Sequence, residues 1–166
     1  MDFPKFQRLV EERRGFRTMD GATASGEYFS DSCGDMYNFF LKVAPGAVIE
    51  DITYFTTGCG FGTATCSLVV DLVRGRTIDE AAALGTEEIE AALDGYPEKK
   101  KDYPQRAIEA LQVAIADYRA KVAAGTIPDY AAMPAQPRAA RELEPVASAA
   151  VAPAAPADEK VLIRLH

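Results

Sequence analysis

The chain has little histidine and little cysteine: of 166 residues, one is His, the terminal His166, and three are Cys. A lone histidine at the very end excludes the common zinc site of two His and two Cys inside a folded domain. Three thiols, an odd number in a chain with no export signal, fit cysteines kept reduced for metal or redox chemistry better than a disulfide framework. No apolar run approaches the roughly 20 residues that a bilayer-spanning helix needs. The start, Met1-Asp2-Phe3-Pro4-Lys5, lacks the basic region and apolar stretch of a signal peptide, so the expected location is the cytoplasm. Clustered positive charge is lacking too, with a formal net charge of -7 and no basic cluster beyond Lys99-Lys100-Lys101. Phosphate neutralisation needs a basic face, so neither nucleic acid nor a membrane is an expected partner.

What is present suits one ordinary domain, since 48% of the residues are apolar. Phe6, Leu9 and Val10 recur at helical spacing between Phe3 and Arg14, and Gly15 can end that helix. Gly15 to Ser32 is rich in Gly, Ser, Thr and Asp and reads as a loop with one edge strand at most. Tyr37, Phe39, Leu41 and Val43 then alternate with Met36, Asn38, Phe40 and Lys42. Pro45-Gly46 breaks the run before the β-branched and aromatic stretch Val48 to Thr57, which predicts an antiparallel hairpin.

After the turn Gly58 to Gly62, the residues Cys66, Val69, Val70 and Val73 predict a helix with one buried stripe. Thr77 with Glu80 is a capping-box signature, and Thr86 with Glu87 and Glu88 starts another short helix. Pro104 suits a first helical turn, and Ile108, Leu111, Ile115, Tyr118 and Val122 predict a long helix lying over the sheet. The expected organisation is a domain over residues 1–125, an Ala/Pro-rich disordered linker over 126–159 and a short apolar tail over 160–166.

Cys33 precedes the first hairpin strand and Cys59 follows the second. Antiparallel strands of similar length return the chain to its starting end, so the two thiols are expected near one another. Gly34, Gly58, Gly60 and Gly62 flank them and let backbone N–H groups approach a bound anion or bridging sulfide. Soft thiolates select iron–sulfur units, Zn or Cu(I) over hard cations, and Asp35 offers a harder, more weakly held oxygen. The blander readings are that Asp35 caps a turn and that Lys99 to Lys101 is a solvated turn. Gly58 to Gly62 lacks the Lys-Ser/Thr of a phosphate loop.

These residues resemble a known family. Cys33-Gly34-Asp35, Phe55 to Gly60 reading F-T-T-G-C-G, Ala64-Thr65-Cys66-Ser67, Val73 to Thr77 with Asp79-Glu80-Ala81, Leu93 to Pro97 and Ile115-Ala116-Asp117-Tyr118 are similar to the NifU amino-terminal domain and IscU scaffolds. The resemblance runs from about Ser32 to Lys121. It implies an α+β fold, a small antiparallel sheet of about three strands packed against helices. It also implies a scaffold and not an enzyme, one that builds a transient [2Fe–2S] or [4Fe–4S] cluster with sulfur from a cysteine desulfurase and hands it to acceptor proteins.

Carried over by position, the resemblance makes Cys33, Asp35 and Cys59 the metal ligands, with Zn as a second occupant. The family's third cysteine falls on Tyr103, the histidine before it on Asp102, and a lysine of the family on Lys100. Cys66 stands where the family usually has serine, seven residues after Cys59. It is a candidate cofactor ligand if it points back at the turn and a core residue if it does not. Asp102, Tyr103 or a residue of a partner could complete the shell, as could a cluster shared across a homodimer. Two rival readings remain: a degenerate homologue acting as an interaction or regulatory module, and a thiol redox protein.

Overall fold

The protein, seen in a computed structural model that describes residues 1–136, is α+β. The elements are α1 (Phe3–Glu12), β1 (Ala24–Ser30), β2 (Asp35–Ala44), β3 (Val48–Thr56), α2 (Gly60–Val73), α3 (Ile78–Ala82), α4 (Thr86–Ala92) and α5 (Tyr103–Ala123). Single 3-10 turns occur at Glu98–Lys100 and Tyr130–Ala132. The apolar tail expected at 160–166 and the Ala/Pro stretch from Pro137 onward lie outside the described residues.

The three strands form an antiparallel meander in the order β1-β2-β3. The predicted hairpin is β2–β3, with Tyr37 opposite Thr56 and Leu41 opposite Ile52. Its two-residue period is visible in burial: Tyr37, Phe39 and Leu41 are fully enclosed, whereas Lys42 between them and the turn is exposed. At the turn Gly46 and Ala47 both have positive φ, 82° and 52°, the mirror-image geometry that suits the twist of a tight hairpin.

The segment Gly15 to Ser32, read as mostly loop, contributes all of β1. Its sequence, ASGEYFS, has only Tyr28 and Phe29 as strong strand formers; pairing with β2, from Ala24 opposite Leu41 to Ser30 opposite Asp35, supplies the rest. Upstream, Gly15 to Arg17 runs beside β3, with Tyr54 N–H donating to Gly15 O at 2.8 Å and Arg17 N–H donating to Tyr54 O at 2.9 Å.

α2 differs from the predicted helix in two respects. It starts at Gly60, inside the glycine-rich turn, so Cys59 is its N-cap. It is also buried almost all round from Gly62 to Val70, not along one stripe, because it lies between β3, α1, α4 and α5. Small residues make that enclosure possible, and the hydroxyls of Thr65 and Ser67 are satisfied inside. Tyr54 Oη meets Ser67 Oγ at 2.9 Å and donates to Thr63 O at 3.1 Å, while Thr65 Oγ1 meets Tyr96 Oη at 2.9 Å.

The Thr77–Glu80 capping box forms as predicted: Glu80 N–H donates to Thr77 Oγ1 at 3.2 Å and Thr77 N–H to Glu80 Oε2 at 2.8 Å. Such a cap contributes about 1 kcal/mol. α4 starts at Thr86 as expected, with Gly85 as its N-cap. Past Gly125 the chain stays attached: Gly46 N–H and Ala47 N–H donate to Tyr130 O at 2.7 and 3.1 Å. Residues 126–136 thus pack as one unit with the domain, although the composition assigned them to the linker.

α5 lies along β1 and β2 with Ala107, Ala110, Leu111, Ala114 and Ile115 buried beneath it. The approach is closest at Gly26, where an added Cβ would stand 2.1 Å from Ala114 N and 2.6 Å from Val113 C. Backbone cannot yield as a flexible side chain can, so Gly26→Ala is expected to destabilise the fold by about 3 kcal/mol through overpacking. Urea unfolding monitored by tyrosine fluorescence measures this, and an unchanged midpoint would contradict the packing of α5 on β1.

Candidate functional site

The base of the hairpin is zipped shut at Met36. Met36 N–H donates to Thr57 Oγ1 at 3.0 Å, Thr57 N–H to Met36 O at 3.2 Å and Thr56 Oγ1 to the same carbonyl at 2.7 Å. One residue beyond this zip on each side lie Asp35 and Gly58. A Cβ placed on Gly58 would stand 3.4 Å from Asp35 Oδ2 and 3.4 Å from Tyr37 Oη, so the carboxylate reaches across to the Cys59 turn. Cys33 and Cys59 are both free and exposed at this corner. The turn before β2 is closed by Cys33 N–H and Gly34 N–H donating to Ser30 O, with Gly34 at φ 71°.

α5 supplies the third wall through a residue that sequence reading did not single out. The guanidinium of Arg106 donates from Nη1 to Cys33 Sγ at 2.7 Å and from Nη2 to Ser32 Oγ at 3.2 Å. It pairs with Asp102 one turn earlier and lies 4.0 Å from Asp35 Oδ2. Its flat face covers the Tyr103 ring, 4.8 Å from the centroid. Only 11% of this side chain is exposed. Burying an ion costs several kcal/mol, and each hydrogen bond to a charged group returns about 1.5–3 kcal/mol, so such a placement holds only while most of its partners are engaged. Burial opposes its charge, but Tyr37, Asp102 and Cys33 outweigh that, and Arg106 stays firmly protonated.

Cys59 has a different environment. Burial disfavours its thiolate, yet the Tyr103 hydroxyl, the backbone N–H groups of Phe61 and Gly62 in the first turn of α2, and the Lys100 charge together lower its pKa. Those N–H groups face the sulfur without closing a full capping bond. Cys59 Sγ and Tyr103 Oη are 3.2 Å apart. Burial and the neighbouring thiol push the Tyr103 phenol well above its ordinary range, so the proton stays on oxygen and Tyr103 is the donor. Lys100 donates to the same phenol oxygen at 3.4 Å and stands 5.0 Å above its ring.

The expected ligand set therefore divides. Cys33 just before β2, Asp35 at its start and Cys59 after β3 lie at the same end of the hairpin. Cys66 does not join them: it is fully buried among core residues, burial pushes its thiol up, and a sealed neutral thiol cannot serve as a ligand to an exposed metal. It is a core residue. Tyr103, at the third-cysteine position, is an interior hydrogen-bond donor, and Asp102 is turned to Arg106. Among the described residues, no three His, Cys, Asp or Glu side chains stand ready together to hold a metal ion. Arg106 was legible in one respect: it sits three residues after Tyr103 and four after Asp102, one turn along the same helix face.

Because a donor to the thiolate lowers the Cys59 pKa, its removal by Tyr103→Phe is expected to move that pKa upward. The alkylation rate of Cys59 against pH, read by mass spectrometry of its peptide, should then reach half-maximum at higher pH than in the wild type. An unmoved profile would mean that the phenol contributes nothing to the thiolate.

Residues 7–124 match the model of the NifU-like N terminal domain family. The iron–sulfur cluster assembly scaffold protein IscU of Escherichia coli (strain K12) is 36% identical over 106 residues, covering 64% of this chain and 82% of that protein. IscU of Aquifex aeolicus (strain VF5) is 35% identical over 109 residues, 65% of this chain and 69% of that one. A NifU-like protein (N-terminal) of Brucella abortus shares the fold, with a TM-score of 0.52, 19% identity and coverage of 73% of this chain and 99% of that one. Among the described residues no helix is long and apolar enough to cross a membrane. The role of such proteins is that of a scaffold and not of an enzyme. The chain belongs to the NifU/IscU-like family of iron–sulfur cluster assembly scaffolds.

Proposed function

We propose that the chain takes up a transient iron–sulfur cluster, of [2Fe–2S] or [4Fe–4S] type, on Cys33, Cys59 and Asp35 and passes it to acceptor proteins. What supports this reading is that Cys33 and Asp35 lie just before or at the start of β2 and Cys59 just after β3, at the same end of the hairpin, with both thiols exposed and Asp35 Oδ2 beside Gly58. Two soft thiolates favour iron bound to sulfide, or Zn, over hard cations, and one oxygen ligand makes for a weaker hold. Sulfur would come from a cysteine desulfurase, as the family likeness implies. With Tyr103 protonated and Cys66 sealed away, the remaining coordination falls to sulfide, to an acceptor or to a second copy of the chain.

One observation favours a rival reading, an interaction module without a cluster: Arg106 already engages Cys33 and approaches Asp35. The thiol redox reading loses one of its pairs, Cys59 with Cys66, to the burial of Cys66.

Anaerobic reconstitution with ferrous iron and sulfide, followed by iron and acid-labile sulfide analysis and a UV–visible spectrum, separates these. Matched iron and sulfide are expected in the wild type and in Cys66→Ser, with loss of most of both in Cys33→Ser and Cys59→Ser. If the wild type retains neither, or if the Cys33 and Cys59 variants retain as much as it does, the cluster role falls.

A further inference from the structure

We propose that Arg106 is a built-in competitor for the cargo: its guanidinium occupies the ligand side of Cys33 and Asp35 when the site is empty and must withdraw for metal to bind. The inference rests on the reading that Cys33, Asp35 and Cys59 are the ligands. Arg106 Nη1 stands 2.7 Å from Cys33 Sγ and 4.0 Å from Asp35 Oδ2. A metal bridging the same two residues at about 2.0–2.3 Å needs the space beside both that Nη1 now fills. A fixed positive charge held there adds Coulomb repulsion to any cation that enters.

The guanidinium also has somewhere to go. Asp102 is 53% exposed and already paired with Arg106, and Tyr103 offers its ring face, so the side chain can keep these two contacts while releasing Cys33 and Asp35. Conversely, when cargo departs, Arg106 takes back its contacts with the Cys33 sulfur and the Asp35 carboxylate. Arg106 is thus a positioning residue that weakens retention and favours release; it is not a ligand.

The test uses reduced, metal-free full-length protein and Zn2+ as the probe, with affinity read by competition against a chromophoric chelator. Arg106→Gln is expected to bind Zn2+ about ten- to a hundredfold more tightly than the wild type, the equivalent of one hydrogen bond to a charged group. Release to excess chelator should slow correspondingly. Arg106→Lys, which keeps the charge but not the fork, should return affinity toward the wild type. A purely structural arginine would do the opposite, weakening Zn2+ binding in both variants.

The wild type gives a second readout that does not depend on a variant folding. In 15N spectra of its arginine side chains, stoichiometric Zn2+ should shift the Arg106 guanidinium signal and speed its hydrogen exchange. Tight or unchanged Arg106 signals in the Zn2+-loaded protein, or Gln binding no more strongly than Arg, would overturn the proposal while leaving the ligand reading intact. Failure of wild type and variants alike to take Zn2+ would remove the ligand reading itself, and the competitor with it.

Discussion

The register of the β2–β3 hairpin is the constraint on which the site depends. Pairing Tyr37 with Thr56 brings the chain to Met36 and Thr57 with three hydrogen bonds left to close the end, and everything functional lies just outside that closure. A slip of one residue would turn Tyr37, Phe39 and Leu41 out of the core, so burial of these side chains enforces the register. The same burial then fixes where Asp35 stands relative to Gly58. The thiol corner is positioned by hydrophobic packing several residues away, without needing a metal to gather it.

The second determinant is how near α5 can come to the sheet. Gly26 has no side chain, and the backbone of α5 occupies the space a Cβ would take. That contact sets the height of the helix over β1 and, one end further along, the height of Tyr103 and Arg106 over Cys59 and Cys33. Aromatic packing continues the wall: Phe61 stacks near Tyr103 and Tyr96 on one side and Phe6 of α1 on the other, so the N-terminal helix also supports the Cys59 turn.

Local pattern made the hairpin, the capping box and the long C-terminal helix legible, because each is written in a short period or a fixed spacing. β1 was not, since its strand character comes from its partner and its critical residue is a glycine. That Cys33 and Cys59 lie at the same end of the sheet was legible from the hairpin topology alone. What could not be read was the wall that α5 brings to it. That Arg106 faces Cys33 across 73 positions of sequence is a tertiary fact, and nothing in the spacing of either residue announces it. Cys66 shows the reverse error. Its proximity in sequence to Cys59 suggested a ligand, but a helix starting at Gly60 carries it into a packed interior.

A phenol at position 103, where the family resemblance leads one to expect a thiol, has consequences beyond one missing ligand. Tyr103 keeps its proton because burial and the neighbouring Cys59 hold its phenol above the ordinary range; the corner therefore contains fewer potential anions than a three-cysteine site would. Two cations reach into the same corner, Arg106 to Cys33 and Lys100 to the Tyr103 phenol. A scaffold must hold its cargo and also give it up. In a site with three thiolates, release must work against strong ligation. If Cys33, Asp35 and Cys59 hold cargo as proposed, the neighbouring cations can stabilise those ligands once they are free, and the balance between holding and releasing shifts toward release.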